Sequence, residues 1–445
     1  MRIEYVASAF INYLRMKTIY QKEHHDTFWP VIQNMIQRVE DEFKPNIGVS
    51  FLYNSFTEAD IGPHTRDLGK TTYADSGGLQ MVTTKAGFAA KDRMDEEKTK
   101  VFYNQAKYAD YGFSFDEIPA VKINEGAFGI GGSVIVKDLC EPYGRLAGKN
   151  LLEQYEIYKE TGTKCKAIPI IQGADTETTD LYCQGLFSGL PEGFEKSMRG
   201  VALGGINTSN IFAPAILMHS TMKVKNKNLQ KLFKQGIHLL GVGSLSKILG
   251  ILLMAENNLL DIDVLTIDSA SISKSYHYGS IRMIEPNGRM KTYKTGKAFS
   301  KDVDKIYRSI YSYFKDDLKD IFPTYEDYMK NGIYDKDFMS KTNKERTEFE
   351  KCMWYTHIIA YALFDLRNIV KVINTVVYDK VPFDQVINLG PSDTRYMKHL
   401  EKCKTHEQLD AWIEQIQSSG LDNKPVVETE ADAKALKMPG IDEWL

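Results

Sequence analysis

The sequence predicts an α/β protein: a (β/α)8 barrel of the TIM type over residues 1–302, an added helical C-terminal region over 303–421, and a polar tail over 422–445. Two observations predict the barrel. Short β-branched or apolar runs recur between residues 48 and 267, each closing in a polar or glycine-rich turn, and longer mixed stretches able to form helices lie between most of them. A third observation marks the addition. From about residue 303 the chain changes to long helical stretches rich in Lys, Tyr and Asp, of which 349–376 is the clearest.

The expected strands, in order, are 48–53, 71–74, 111–115, 167–171, 200–203, 238–240 and 264–267, with helices such as 229–235 and 245–258 between them. Strands alternating with helices specify a parallel sheet, and seven or eight such units close a barrel. Asp75, Asp116, Gln172, the pair Gly204-Gly205, Gly241 and Asp268 each come directly after an expected strand. In a barrel those strand ends meet on one face, where residues remote in sequence become neighbours. Two carboxylates there, Asp75 and Asp268, can divide the cleavage of a glycosidic bond, one attacking the anomeric carbon and the other moving protons.

A chain of 445 residues, 43% hydrophobic and 26% charged, can bury a large core, and its net charge of -3 excludes a uniformly basic nucleic-acid coat while leaving room for local patches. The N-terminal residues lack the apolar core of a signal peptide, and no window approaches the roughly 20 apolar residues of a membrane span. The expectation is a cytoplasmic protein without membrane partners. Five scattered cysteines, Cys140, Cys165, Cys183, Cys352 and Cys403, fit reduced thiols better than a disulfide framework. The acidic, polar tail is expected to pack loosely.

Read as ordered motifs, these residues carry a resemblance. Tyr73-Ala74-Asp75-Ser76-Gly77-Gly78-Leu79-Gln80 resembles the DSGG(F)Q signature of the tRNA-guanine transglycosylase family, and Phe115-Asp116-Glu117-Ile118-Pro119 resembles its next acidic motif. Ile170-Ile171-Gln172-Gly173 is similar to its VQGG strand end, Ala202-Leu203-Gly204-Gly205-Ile206 to its GGL turn, and His238-Leu239-Leu240-Gly241-Val242-Gly243 to its YLMGVG segment. Ile267-Asp268-Ser269-Ala270-Ser271 is similar to its FDSAS motif. Each motif alone is weak, and an isolated Asp-Ser-Gly-Gly is more often a surface turn; the order of all six makes the resemblance specific.

The resemblance implies base exchange, in which a guanine leaves a polynucleotide and a 7-deazaguanine takes its place on the same sugar. Asp268 is then the nucleophile that forms a covalent glycosyl-enzyme, and Asp75 the general acid/base. Asp116 accepts hydrogen bonds from the purine N1–H and amine, Gln172 and the Gly205 amide bind its carbonyl oxygen, and Leu79 and Leu240 sandwich the ring, with Ser76 and Gly204 also among the substrate-binding residues. A guanine edge offers two adjacent donors and one acceptor, which a carboxylate next to amide donors complements. Two displacements at one carbon retain configuration, and the base must be flipped out of its stack to react. Those steps need no cofactor.

Departures from the family pattern bear on metal and partner. The family's CxCxxC zinc triad is absent; Cys352, His357, His399 and Cys403 stand as a replacement zinc set, weighed against the commoner role of such residues as core or surface. The arginine-bearing segment that follows the nucleophile in the bacterial enzymes is replaced by Ile272-Ser273-Lys274-Ser275-Tyr276-His277-Tyr278-Gly279. The expected acceptor is therefore DNA, as in viral and bacterial DNA-guanine transglycosylases, which places a viral member in host cytoplasm; tRNA is the alternative, as is a non-catalytic partner subunit, and a homodimer is left open. Arg289, Lys291, Lys294 and Lys297, with Tyr293 among them, form the expected phosphate-binding patch, and Lys223, Lys225, Lys227, Lys231 and Lys234 a second. The glycine cluster Gly126, Gly129, Gly131 and Gly132 lacks the context of a dinucleotide fingerprint and is read as a lid.

Overall fold

The computed structural model describes residues 1–8, 22–43, 47–65, 69–78, 93–122, 133–204, 210–242, 244–269, 272, 275–276, 279–295, 301–330, 341, 345–421 and 426–435. Its centre is a parallel sheet. Strands β1 (Arg2–Ser8), β2 (Ile47–Asn54), β3 (Thr72–Asp75) and β4 (Tyr111–Phe113) lie side by side, and β4 pairs with β7 (Lys166–Ile168). On the other side of β1 come β11 (Val264–Ser269), β10 (Ile237–Leu239), β9 (Val201–Leu203) and β8 (Ile170–Ile171). All these pairings are parallel. The two outermost members, β7 and β8, are separated in the chain only by Pro169, whose carbonyl accepts from the Ala202 amide at 2.8 Å. A proline has no N–H to give the ladder, so it divides one extended stretch into two short strands. The nine-stranded sheet thereby nearly closes into a barrel.

Strand periodicity sorts the core. Val6, Leu52, Tyr73, Phe113, Ile168, Ile170 and Ala202 form one buried cluster, while alternate residues such as Ile3, Tyr5, Phe51, Ala74 and Ile171 belong to a larger cluster shared with the helices. Helices α1 (Lys22–Asp41), α2 (Met94–Tyr108), α3 (Lys137–Thr161), α4 (Thr176–Phe187), α5 (Ala213–Lys223), α6 (Lys227–Gln235) and α7 (Leu245–Glu256) separate the strands. All seven expected strands are present within a residue or two. The structure adds β1, in which Ile3, Tyr5 and Ala7 alternate with Glu4 and Val6.

Beyond β11 a hairpin, β12 (Ser280–Ile284) and β13 (Met290–Lys294), precedes helices α8 (Lys301–Leu318), α9 (Tyr325–Lys330), α10 (Glu348–Val377), α11 (Pro391–Lys402) and α12 (His406–Ser418). α10 opens on a capping box between Thr347 and Glu350 and packs against α1 and the hairpin. There the fully buried Asp365 receives Arg282 Nη2 at 2.5 Å and the Arg282 amide at 2.8 Å. This satisfies a carboxylate that would otherwise be costly to bury.

The expectation of a loosely packed tail is corrected over 426–435. A small sheet follows β4, made of β5 (Ala120–Lys122) and β6 (Ser133–Val136), and β14 (Val426–Val427) adds to β6 in parallel, pairing Val426 with Ile135 and Val427 with Val136. Ala433, in α13 (Glu430–Ala435), is fully buried with Val134 and Val136. The apolar pair Val426-Val427 within a polar stretch finds its partner far away in sequence.

Candidate active site

Because the strands are parallel, their C-terminal ends share one end of the sheet, and the expected site residues gather there. Asp75 closes β3, Asp116 follows β4, Gln172 follows β8, Gly204 follows β9, Leu240 and Gly241 follow β10, and Asp268 lies near the end of β11. Leu79 and Gly205 lie outside the described residues, as do Lys297 and the glycine cluster of 126–132.

Asp268 is buried at 7% exposure. Its Oδ1 accepts the Gly241 amide at 2.5 Å, and His238 Nε2 lies 3.3 Å from the same oxygen. Gly241 has φ +70, the left-handed region that glycine enters without a Cβ penalty, at the bend that turns its N–H toward the carboxylate.

Asp75 is held by Asn54, whose Nδ2 donates to Oδ2 at 3.0 Å, while Asn54 Oδ1 accepts the amides of Phe56 and Thr57. Burial above all, with the negative charges of Asp268 and Asp116 beside it, pushes the Asp75 carboxyl up to about 7 against the lowering effect of the Gly77 amide and Asn54. Three carboxyls thus share one field. Gly77 has φ +77, and a Cβ there would sit 2.7 Å from the Phe56 side chain, so the turn after Asp75 requires glycine. Ser76, almost wholly buried, lies 3.4 Å from the Gly78 amide through its Oγ.

Asp116 accepts from Gln172 Nε2 at 2.5 Å. Burial pushes its carboxyl up to about 6, opposed by the Gln172 hydrogen bond. Gln172 is 2% exposed, and its Oε1 is buried without a partner among the described residues. A Cβ on Gly204 would collide with Gln172 Nε2, so the glycine makes room for the amide. The site therefore presents a carboxylate, an unpaired amide oxygen and a second N–H on the same nitrogen, side by side: an acceptor–donor array.

Three positioning groups have no clear mark in the sequence. Gln105, fully buried on α2, donates Nε2 to the carbonyls of Ala74 and Phe113, tying together the strand ends that carry Asp75 and Asp116. Gln154 and Tyr158 on α3 complete this network by donating to Gln105 Oε1 at 2.9 and 3.0 Å. Asn54 and His238 are the other two. Their only sequence signal is a polar residue at the end of, or within, a strand otherwise buried.

The replacement zinc set does not assemble. Cys352 and His357 are both on α10, five residues apart and so roughly 140° around the helix from each other. His357 is wholly buried among the rings of Tyr276, Tyr307 and Tyr328, and that burial pushes it down to about 3. His399 is on α11 and pairs with Gln415 through Nδ1, while Cys403 Sγ turns to the carbonyls of His399 and Gln408. Among the described residues no group of three or more His, Cys, Asp or Glu is placed to hold a metal ion.

Arg289, Lys291 and Lys294 are exposed on the β12–β13 hairpin. Arg289 reaches Asn388 and the Asp384 carbonyl, and Lys291 lies over the Tyr293 ring at 4.8 Å. The second lysine patch is largely offset by acids: Lys223 meets Asp410 at 2.7 Å, Lys231 meets Glu195 at 3.5 Å and Lys234 meets Asp261 at 3.5 Å. Among the described residues no helix is long and apolar enough to cross a membrane. No protein-family model matches the chain, and no curated protein matches it at a significant level.

Proposed function

We propose that the protein is a guanine transglycosylase that exchanges guanine in a polynucleotide, DNA in our reading, for a 7-deazaguanine through a covalent glycosyl-aspartate. Counting the segments flanking Pro169 as one strand leaves eight parallel members in the sheet, which supports reading it as a (β/α)8 barrel. One observation carries the proposal: Asp116 and Asp268, from two other strand ends, lie close enough to Asp75 for their charges to raise its carboxyl, with Gln172 and Gly204 shaping a hydrogen-bonding edge beside them. That edge suits guanine, whose N1–H and amine would meet the Asp116 carboxylate while its carbonyl takes the remaining Gln172 N–H.

In the first displacement, an Asp268 oxygen bonds to the anomeric carbon as the glycosidic C–N bond breaks. The electron pair leaves with the purine, which takes a proton from Asp75. In the second, Asp75 removes a proton from the incoming base, whose nitrogen attacks the same carbon and frees the Asp268 carboxylate. A carboxyl raised to about 7 suits this alternation, since both of its forms are populated near neutrality. A non-catalytic partner subunit would have no use for two carboxyls so placed.

The test is mass spectrometry of nucleosides from DNA and from tRNA after incubation with the protein and candidate 7-deazaguanines, with labelled guanine as the exchange control. Incorporation into DNA supports the proposal. Incorporation only into tRNA replaces the acceptor, and incorporation into neither overturns the activity.

A further inference from the structure

The Asp268 carboxylate is held unevenly. Oδ1 takes the Gly241 amide at 2.5 Å and His238 Nε2 at 3.3 Å, and among the described residues no hydrogen bond reaches Oδ2. The His238 ring is itself fixed. Its Nδ1 lies 2.8 Å from Thr266 Oγ1, one strand over on β11, closer than the Ile237 carbonyl at 3.2 Å from the same hydroxyl; with Nδ1 accepting the Thr266 O–H, the ring proton sits on Nε2 and faces Asp268. The ring packs 4.5 Å from Phe113 and 5.9 Å from Tyr73, centroid to centroid, and the residue is 2% exposed, so these rings and Thr266 hold its orientation. A small pocket of about 20 Å³, space for one water, is lined by His238 with Tyr73, Arg199 and Thr266 among others.

We infer that His238 is a positioning residue for Asp268: together with the Gly241 amide it pins Oδ1 and so aims Oδ2 at the reacting carbon. This rests on the transglycosylase reading. A carboxylate free to rotate about its last torsion spends part of its time with neither oxygen aligned for in-line displacement, and misplacement of about 1 Å costs on the order of 10²-fold in rate. The Gly241 amide alone sets one contact and leaves that rotation open; the histidine adds the second. His238 touches neither base nor sugar in this scheme, so its removal should slow attack without weakening binding.

The experiment compares His238→Leu, which keeps apolar bulk and removes the donor, with His238→Gln, whose amide N–H has similar reach. The single-turnover rate of covalent adduct formation on guanine-containing DNA is measured beside DNA affinity and Tm. The expected result is an adduct rate lowered about 10²-fold in the Leu variant with unchanged DNA affinity, and recovery of at least about tenfold of that loss in the Gln variant. Should the Leu variant not fold, His238→Asn, whose shorter amide stops short of Oδ1, takes its place in the comparison. A donor-less variant that forms adduct at the wild-type rate overturns the inference, as does equal slowing in Gln and in the donor-less variant. Wild-type protein that forms no adduct on DNA or tRNA overturns the function reading and this inference together.

Discussion

Gln172 donates its side-chain amide to Asp116 over 2.5 Å, across the ends of neighbouring stretches of the sheet, and leaves its own Oε1 buried and, among the described residues, unpaired. The bond fixes which way round the amide sits: only nitrogen can face the carboxylate. A buried acceptor without a partner is unfavourable by about 1–3 kcal/mol, and a ligand N–H in that position would remove the cost. Asp116→Ala should therefore do two things. It should remove an acceptor for the purine donors and release Gln172 to turn. Guanine should lose at least about tenfold in kcat/KM, with adenine discrimination lost alongside, measured by competition between the two bases. Unchanged discrimination refutes the role.

Asp268→Asn should reduce exchange by at least about 10⁴-fold, the scale set by deletion of an enzyme nucleophile. The fold should survive, because the asparagine Oδ1 can still accept the Gly241 amide. Circular dichroism and thermal melting check the fold; a folded variant that still exchanges at a near-normal rate sinks the assignment.

The strands and acids are legible in the sequence because both are local. A β-prone run ends in a turn, and the residue after it must lie at one end of a parallel sheet, which singles out Asp75, Asp116, Gln172 and Asp268. What is not legible depends on pairings that no local pattern carries. In β1 the alternation of Ile3, Tyr5 and Ala7 is blurred by Val6, which is apolar as well because it faces the second buried cluster. Val426-Val427 is too short to read as a strand without sight of β6. The hairpin 280–294 looks like a basic patch because its exposed lysines mask the alternation. Asn54, Gln105 and His238 each act across strands or from a helix onto a strand end, and register decides that. The zinc set fails for a related reason: two residues five apart on a helix share no face.

The pH dependence follows from Asp75. Its carboxyl is raised to about 7 from an ordinary 3.8, chiefly by burial, so the folded state favours the protonated form. The stability this contributes is fully present below the unfolded pKa near 3.8 and is lost as pH rises through about 7. Asp75→Asn removes the ionisation, so it should raise Tm relative to wild type at pH 8, with the gain fading toward pH 4. The same variant should slow exchange roughly 10²–10⁴-fold, the usual contribution of a general acid/base. Thermal melts across that range check the first statement, and single-turnover release of guanine, which should fall above about pH 7 in wild type, checks the second.

Gly204→Ala tests whether the Gln172 pocket is built by the glycine. The new Cβ would run into Nε2, and the amide, bonded to Asp116 and 2% exposed, has little space to yield. The variant should fold, and its KM for the free base should rise about tenfold or more, an effect of about 1.4 kcal/mol. A wild-type KM would mean that Gln172 does not contact the base.

The last prediction concerns the polynucleotide. Lys291 and Lys294 are exposed on β13, and Lys291 lies over Tyr293, an arrangement that offers charge to a phosphate and a ring face to a base. Arg289, by contrast, is engaged with Asn388 and the Asp384 carbonyl, so it is the less available of the three. Replacing both lysines by Gln should weaken DNA binding without regard to sequence and lower the dependence of log affinity on log salt by up to about 2, close to one for each phosphate that is no longer neutralised. The rate of covalent adduct formation at saturating DNA should be unchanged, because neither side chain belongs to the carboxylate cluster. A salt dependence identical to that of wild type would move the phosphate track off the hairpin, and a drop in the saturated rate would mean that the hairpin helps to shape the site itself.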